Sequence, residues 1–315
     1  MYSLYRYWAH GNLGMVITGN VMVDKGAMTG PGGVALEKDT DIAPFQKWAK
    51  IIKSNGALAI MQINHPGRQV FKAMKGKAIA PSAVPLDMGK HSKLFAQPRE
   101  MTCQDIHDVC KRFVQTAKQA EKAGFDGVEI HAANGYLLDQ FLCSNSNQRT
   151  DDYGGSVENR ARLVLDVVDA VIAAAGDAGI VGIRISPLGT FNGVEDANPL
   201  ETFSYLLGEL NSRGLAYVHV NKPDWAGGSY EGFDELLAAL RKGYKGDFIL
   251  AGGLDGDSAS AALDGGLAQF AAFGRPYIAN PDLVARLQAG APLNQVNPRT
   301  LYGGGAEGYT DYPAM

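Results

Sequence analysis

The sequence predicts an α/β fold, a (β/α)8 barrel with its first strand missing, and three observations carry that expectation. Short apolar runs rich in β-branched residues alternate with longer helical patterns along all 315 residues. No low-complexity linker interrupts the alternation, so residues 1–315 read as one domain. No strand candidate is followed by the G-x-G-x-x-G turn of an open, doubly wound sheet, which leaves the closed parallel barrel as the better architecture.

In chain order, Leu4 to Ala9 reads as a helix where a first strand and its loop are expected to come earlier. Strands follow at Met15 to Thr18, Leu58 to Ile63, Gly127 to His131, Val181 to Ile185, Tyr217 to Asn221, Phe248 to Ala251 and Gln269 to Phe273. These are seven strands, and a standard barrel needs eight. Between them, Thr102 to Ala123 reads as a helix closed by Gly124, with alternating charges on its solvated face. Ser156 to Ala175 reads as another, opened by Ser156 with Asn159 three residues on.

Composition excludes several functions. With 46% apolar residues, 20% charged residues and a net charge of −4, the chain can bury a sizeable core but has no surplus of positive charge for nucleic acid or anionic membranes. Cys103, Cys110 and Cys143 are too few and too irregular for a disulfide framework or an iron–sulfur site. A reducing, cytoplasmic setting fits, and the first ten residues carry no secretory pattern. His10, His91 and His107 have no neighbours at metal-ligand spacing, so no metal site is expected. His65 opens an H-P-G-R turn and can cap a strand end; His219 reads as a satisfied core histidine.

Barrel active sites are built from the loops that follow the strands. His131-Ala132-Ala133-Asn134-Gly135-Tyr136 follows one strand, and its ring N–H and side-chain amide can converge on a carbonyl or nitro oxygen, in the manner of an oxyanion hole. Tyr136, a phenol with a pKa of about 10, is protonated at neutral pH and can act as an acid. The competing reading makes His131 a hydrogen-bonded barrel residue and Tyr136 core packing. After the last two strands come Ala251-Gly252-Gly253-Leu254 and Phe273-Gly274-Arg275-Pro276. Barrels commonly hold phosphate between strands seven and eight, where glycines expose backbone N–H groups and an arginine adds a bidentate fork. Tight strand-to-helix turns alone would also explain these glycines.

Several longer segments now bear on identity. They are Gln62 to Arg68 (Q-I-N-H-P-G-R), Gly127 to Leu142 with its H-A-A-N-G-Y core, and Asn147 to Arg162 (N-Q-R-T-D-D-Y-G-G-S-V-E-N-R-A-R). Arg184 to Pro187 (R-I-S-P), the two glycine turns and the tail Tyr302 to Pro313 complete the set. On these the chain resembles the Old Yellow Enzyme family of flavin oxidoreductases over essentially its whole length. The resemblance implies a TIM barrel holding FMN, reduced by NADPH or NADH, that reduces the activated C=C bond of a small-molecule enone or nitroalkene in a ping-pong cycle. It implies that Gln62 meets the flavin pyrimidine edge and that Arg184 stabilises the reduced, anionic ring. Gly252, Gly253, Gly274 and Arg275 would hold the phosphate, and Gly19 with Asn20 would pass close to the ring. His131 and Asn134 would bind the substrate oxygen, Tyr136 would protonate the α-carbon, and Tyr302 would line the pocket. Two features depart from the family pattern: Asn20 stands where the family has a small residue, and the first strand has no counterpart.

Two rival readings remain. Lys222 directly follows a strand and could form a Schiff base as a lyase. Alternatively, the incomplete barrel binds flavin weakly or not at all and catalyses nothing. A dienoyl-CoA reductase with an iron–sulfur centre is excluded by the cysteine count.

Overall fold

The computed structural model describes residues 1–223, 231–301 and 305–315. Seven parallel strands form its frame: β1 (Met15–Ile17), β2 (Leu58–Asn64), β3 (Gly127–Ala132), β4 (Val181–Ile185), β5 (Tyr217–Asn221), β6 (Phe248–Ala251) and β7 (Phe270–Ala272). Each pairs with the next in chain order. Every expected strand is present, with its ends within one residue of the expectation.

The first strand is interrupted for a local reason. Thr18 still donates its N–H to Ile60 O, and its hydroxyl accepts the Gln62 N–H at 3.1 Å. The chain leaves the strand at Gly19 and Asn20 and returns as Val21–Met22, paired with Ile63 and Asn64. The loop thus emerges beside Gln62.

Helix α1 (Tyr2–Ala9) precedes β1, and α2 (Ala43–Ile52), α3 (Cys103–Lys122), α4 (Leu137–Leu142), α5 (Val157–Ala175), α6 (Pro199–Leu210), α7 (Phe233–Gly243), α8 (Gly256–Asp264), α9 (Arg275–Ala279) and α10 (Leu283–Ala289) follow in order. Side chains start and stop them as the sequence implies. Thr102 and Asp105 form a reciprocal capping box on α3, Ser156 accepts from Asn159 N on α5, and Gly176 ends α5 in the left-handed region at φ 73°. Helical apolar faces cover the outward residues of the strands, among them Val128, Ile130, Ile183, Val218, Val220 and Leu250, in one continuous core. Burying each such side chain contributes about 1.5–3 kcal/mol.

Inward residues are different. Glu129 on β3 contacts His219 on β5 although β4 lies between, so the bond crosses the interior of a curled sheet. The Tyr217 ring fills the space beside Gly182, where a Cβ would lie 2.4 Å from it, and so plugs the floor. Above this plug the interior is polar.

The helical layer and the sheet close differently. Tyr5 of α1 packs edge-on against Trp48 of α2 at 5.0 Å, and Trp8 against Tyr277 of α9 at 6.1 Å. The Tyr277 hydroxyl also donates to Trp8 O, so α1 bridges α2 and α9. Beneath that bridge, no strand pairing joins β7 to β1 among the described residues. Phe270 on β7 stays 52% exposed, whereas β3, β5 and β6 are buried throughout. No helix among the described residues is long and apolar enough to cross a membrane.

Candidate active site

Strand periodicity places the polar residues. On β3, Gly127, Glu129 and His131 share the inward face; on β5, Tyr217, His219 and Asn221 do; Gln62 and Arg184 join them from β2 and β4. Gln62 donates Nε2–H to Glu129 Oε1 at 2.6 Å, and the other carboxylate oxygen meets His219 Nδ1 at 2.9 Å. His219 is therefore bonded at Nδ1, as a core histidine should be, but its buried Nε2 has no partner among the described residues. Burial holds this imidazole below its usual pKa and neutral; it serves Glu129 as an N–H donor. Burial alone would raise the Glu129 carboxyl, but His219, Arg184 and Gln62 reverse that and keep it ionised.

A second chain of bonds leads to the mouth. Arg184 Nη2 donates to Asn221 Oδ1 at 2.7 Å, and Asn221 Nδ2 donates to Asn134 Oδ1 at 3.3 Å. The amide oxygen of Asn134 is thereby taken, and its Nδ2–H donors are left for the site. His131 is 1% exposed and neither ring nitrogen has a partner among the described residues. Burial, reinforced by the Arg184 cation, brings its pKa down to about 3, so the ring is neutral and carries one N–H donor. The His131 and Tyr136 rings stand 5.1 Å apart. Tyr136 is half-buried and caps α4.

The loop that presents Asn134 is held from behind. Asn134 and Gly135 both have positive φ, 57° and 70°, and a Cβ on Gly135 would lie 2.3 Å from Phe191 O. Asp139 Oδ2 accepts from Gly135 N at 2.8 Å and from Ser186 Oγ at 3.2 Å; Ser186 Oγ in turn accepts Asn134 N at 2.8 Å. Asn192 Nδ2 grips Asn134 O at 2.9 Å, and Arg68 holds the carbonyls of Asn192 and Gly193. The histidine of the H-P-G-R turn does as expected: His65 Nδ1 accepts from Gly67 N at 3.1 Å.

Burial pushes the Asp139 carboxyl up to about 7. A folded-state pKa above the unfolded value of about 3.9 contributes stability below that value, and the contribution is lost as pH rises through about 7. Asp139→Asn, which keeps one acceptor oxygen, is expected to show a smaller fall in Tm between pH 5 and 8 than the parent. Parallel melting curves for the two proteins check it, and equal slopes would remove Asp139 as the titrating group.

The glycine turns stand side by side because Ala251 pairs with Ala272. Gly252 and Gly253 have φ of 108° and 62°, and a Cβ on Gly252 would come within 2.9 Å of the Lys222 backbone oxygen. Gly274 caps the short α9, whose first residue is the exposed Arg275. Gly19 donates its N–H to Tyr5 Oη at 3.1 Å, so part of this segment is fixed by α1, and Asn20 beside it is half-buried. Tyr302 lies outside the described residues. The Schiff-base reading loses support: Lys222 Nζ pairs with Asp234 at 3.3 Å and lies over the Phe233 ring.

Thr18, Glu129, Asp139, Ser186, Asn192 and Asn221 were not singled out by the sequence. For Glu129 and Asn221 a signal existed, since each shares strand phase with a residue that was: Glu129 with His131, Asn221 with His219. The long N-Q-R-T-D-D-Y-G-G-S-V-E-N-R motif proves to be scaffolding. Arg149 binds the carbonyls of Pro81 and Met101, and Arg160 binds those of Leu142 and Gly155 together with Asp196.

These residues fit a flavin mononucleotide: a permanent cation and a fixed amide in a buried polar interior, beside adjacent glycine turns suited to a phosphate. Comparison with known proteins agrees. The model of the NADH:flavin oxidoreductase / NADH oxidase family matches residues 1–294. A probable flavin mononucleotide-dependent alkene reductase of Leishmania infantum is 37% identical over 323 residues, covering 98% of this chain and 87% of that one. The 12-oxophytodienoate reductase 1 of Oryza sativa subsp. japonica is 37% identical over 314 residues, 90% of this chain and 81% of that one. The structure of morphinone reductase in complex with tetrahydroNAD superposes with a TM-score of 0.91 at 36% identity, covering all of this chain and 88% of that one. The TIM-barrel fold, the FMN cofactor and the nicotinamide reductant follow, and the chain belongs to the NADH:flavin oxidoreductase / NADH oxidase family, the Old Yellow Enzymes.

Proposed function

We propose that His131, Asn134 and Tyr136 carry the chemistry of an FMN-dependent ene-reductase within a single domain. The observation that carries this is the neutral, fully buried His131 whose ring nitrogens have no partner among the described residues, next to an Asn134 whose amide oxygen is occupied by Asn221. A buried imidazole left without partners costs about 1–3 kcal/mol, a penalty relieved when a ligand oxygen arrives. His131 and Asn134 donate to the carbonyl or nitro oxygen and draw electron density from the conjugated double bond. Bound FMN would supply the hydride chemistry that links NAD(P)H to the β-carbon. Tyr136 supplies the proton to the α-carbon. Gln62 and Arg184 hold the flavin ring, with the Gly19–Asn20 segment beside it. Gly252, Gly253, Gly274 and Arg275 hold its phosphate.

The polar interior stands assembled, with its amides oriented by hydrogen bonds, which favours catalysis over a flavin-free, inert barrel. The test is direct. The purified protein should show a flavin absorption spectrum, bleach with NADPH or NADH without oxygen, and recover its colour when 2-cyclohexenone is added. Protein that bleaches but does not recover with any enone or nitroalkene would overturn the substrate class.

A further inference from the structure

We propose that Glu129 is a positioning residue for the flavin: it fixes which way the Gln62 amide faces and places a negative charge behind the isoalloxazine site that makes the flavin harder to reduce. The proposal rests on the reading that Gln62 faces the flavin.

Glu129 sits in the middle of β3 and is fully buried. An ionised carboxylate only accepts hydrogen bonds, so the group opposite each oxygen must be a donor. Gln62 therefore turns its NH2 toward Glu129, at 2.6 Å, and its own oxygen is the atom left for a ligand. Such an oxygen complements a ring N–H and opposes a ring carbonyl, so the carboxylate selects one edge pattern of the heterocycle. Without it the two orientations of a glutamine amide are nearly isosteric.

The surroundings show that the charge is retained by design of the interior. His219 Nδ1 occupies the second oxygen at 2.9 Å, with its ring fixed by strand β5. Thr18 holds the Gln62 backbone N–H, so the side chain is the only part of Gln62 left to turn. Arg184 is near enough to stabilise the carboxylate while its guanidinium donates to Asn221. Two opposite charges thus act on the same ring: Arg184 favours the reduced anion and Glu129 opposes it. The balance between them sets the potential.

Two variants separate the roles. Glu129→Gln keeps the reach and removes the charge. It should leave oxidised FMN binding within a few-fold of the parent and favour the reduced over the oxidised flavin by about tenfold, a rise of about 30 mV for a two-electron couple. Glu129→Asp keeps the charge and withdraws it from Gln62. It should hold the potential near the parent value and weaken FMN binding about tenfold. Dye-coupled potentiometry and fluorescence titration of apoprotein with FMN read both quantities without any turnover assay. Gln62→Leu is measured alongside. Unchanged FMN binding in Gln62→Leu would mean that Gln62 is not at the flavin, and the site reading fails. Weakened binding there, with parent-like potential and affinity in both Glu129 variants, overturns this proposal alone. Should one Glu129 variant not fold, the other decides, because each predicts a change in a different quantity.

Discussion

Replacing His131 or Asn134 with alanine is expected to slow enone reduction on the order of 10²-fold while FMN remains bound, the loss seen when one oxyanion-type donor is removed. Neither residue contributes to the contacts read as holding the flavin, so the absorption spectrum should be retained. The two losses should not multiply. Asn134 is held by Asn221, Ser186 and Asn192 independently of His131, but in the proposed mechanism both donors serve one oxygen, and groups acting on one atom are not additive. Phenols, which present an oxygen to the same pair, should bind more weakly to both variants. Parent-like enone turnover in both would remove the pair from the mechanism.

Tyr136→Phe should have a narrower effect. In the proposed mechanism the phenol acts only when the α-carbon takes its proton, a contribution of about 10²–10⁴-fold for a positioned acid. Reduction of the flavin by NAD(P)H requires no such proton and should proceed at the parent rate. Stopped-flow traces of the two half-reactions distinguish this from a structural role, because an equal loss in both would make Tyr136 a packing residue. The fold should tolerate the change: the backbone of Tyr136 starts α4, and its half-buried ring is kept by phenylalanine.

How much of this was legible depends on the period of each element. The strands were readable because the residues under the helices are uniformly apolar, as in Val128 and Ile130 or Val218 and Val220. His131, Asn134, Gln62 and Arg184 were readable because they lie in recognisable segments at or beyond strand ends. Their partners were not. Glu129 and His219 are ninety positions apart, and only closure of the sheet brings them together. The pairing of Asn221 with Asn134 likewise skips a strand, and no local pattern encodes it. Asp139 resembles any first-turn acid of a short helix; its role comes from Gly135 and Ser186 meeting above it. The long arginine-bearing motif pointed correctly to the family, although its arginines act as scaffold, engaged with backbone carbonyls.

Among the described residues no strand pairs with the outer edge of β7, and local stability should differ on that account. Both glycine turns leave from β6 and β7, at the side where Phe270 is half-exposed, whereas the hydrogen-bonded polar network is carried by the fully flanked strands β2 to β5. Opening of a strand with one free edge exposes little buried apolar surface, so it occurs at lower free energy than global unfolding. A ligand bridging the two turns raises that free energy by mass action, about 2.7 kcal/mol at a hundredfold excess over its Kd. On the proposed reading, breathing at the two glycine turns is thermodynamically linked to FMN occupancy, while His131 and Asn134 stand on and just after the flanked strand β3, in the part that opens last.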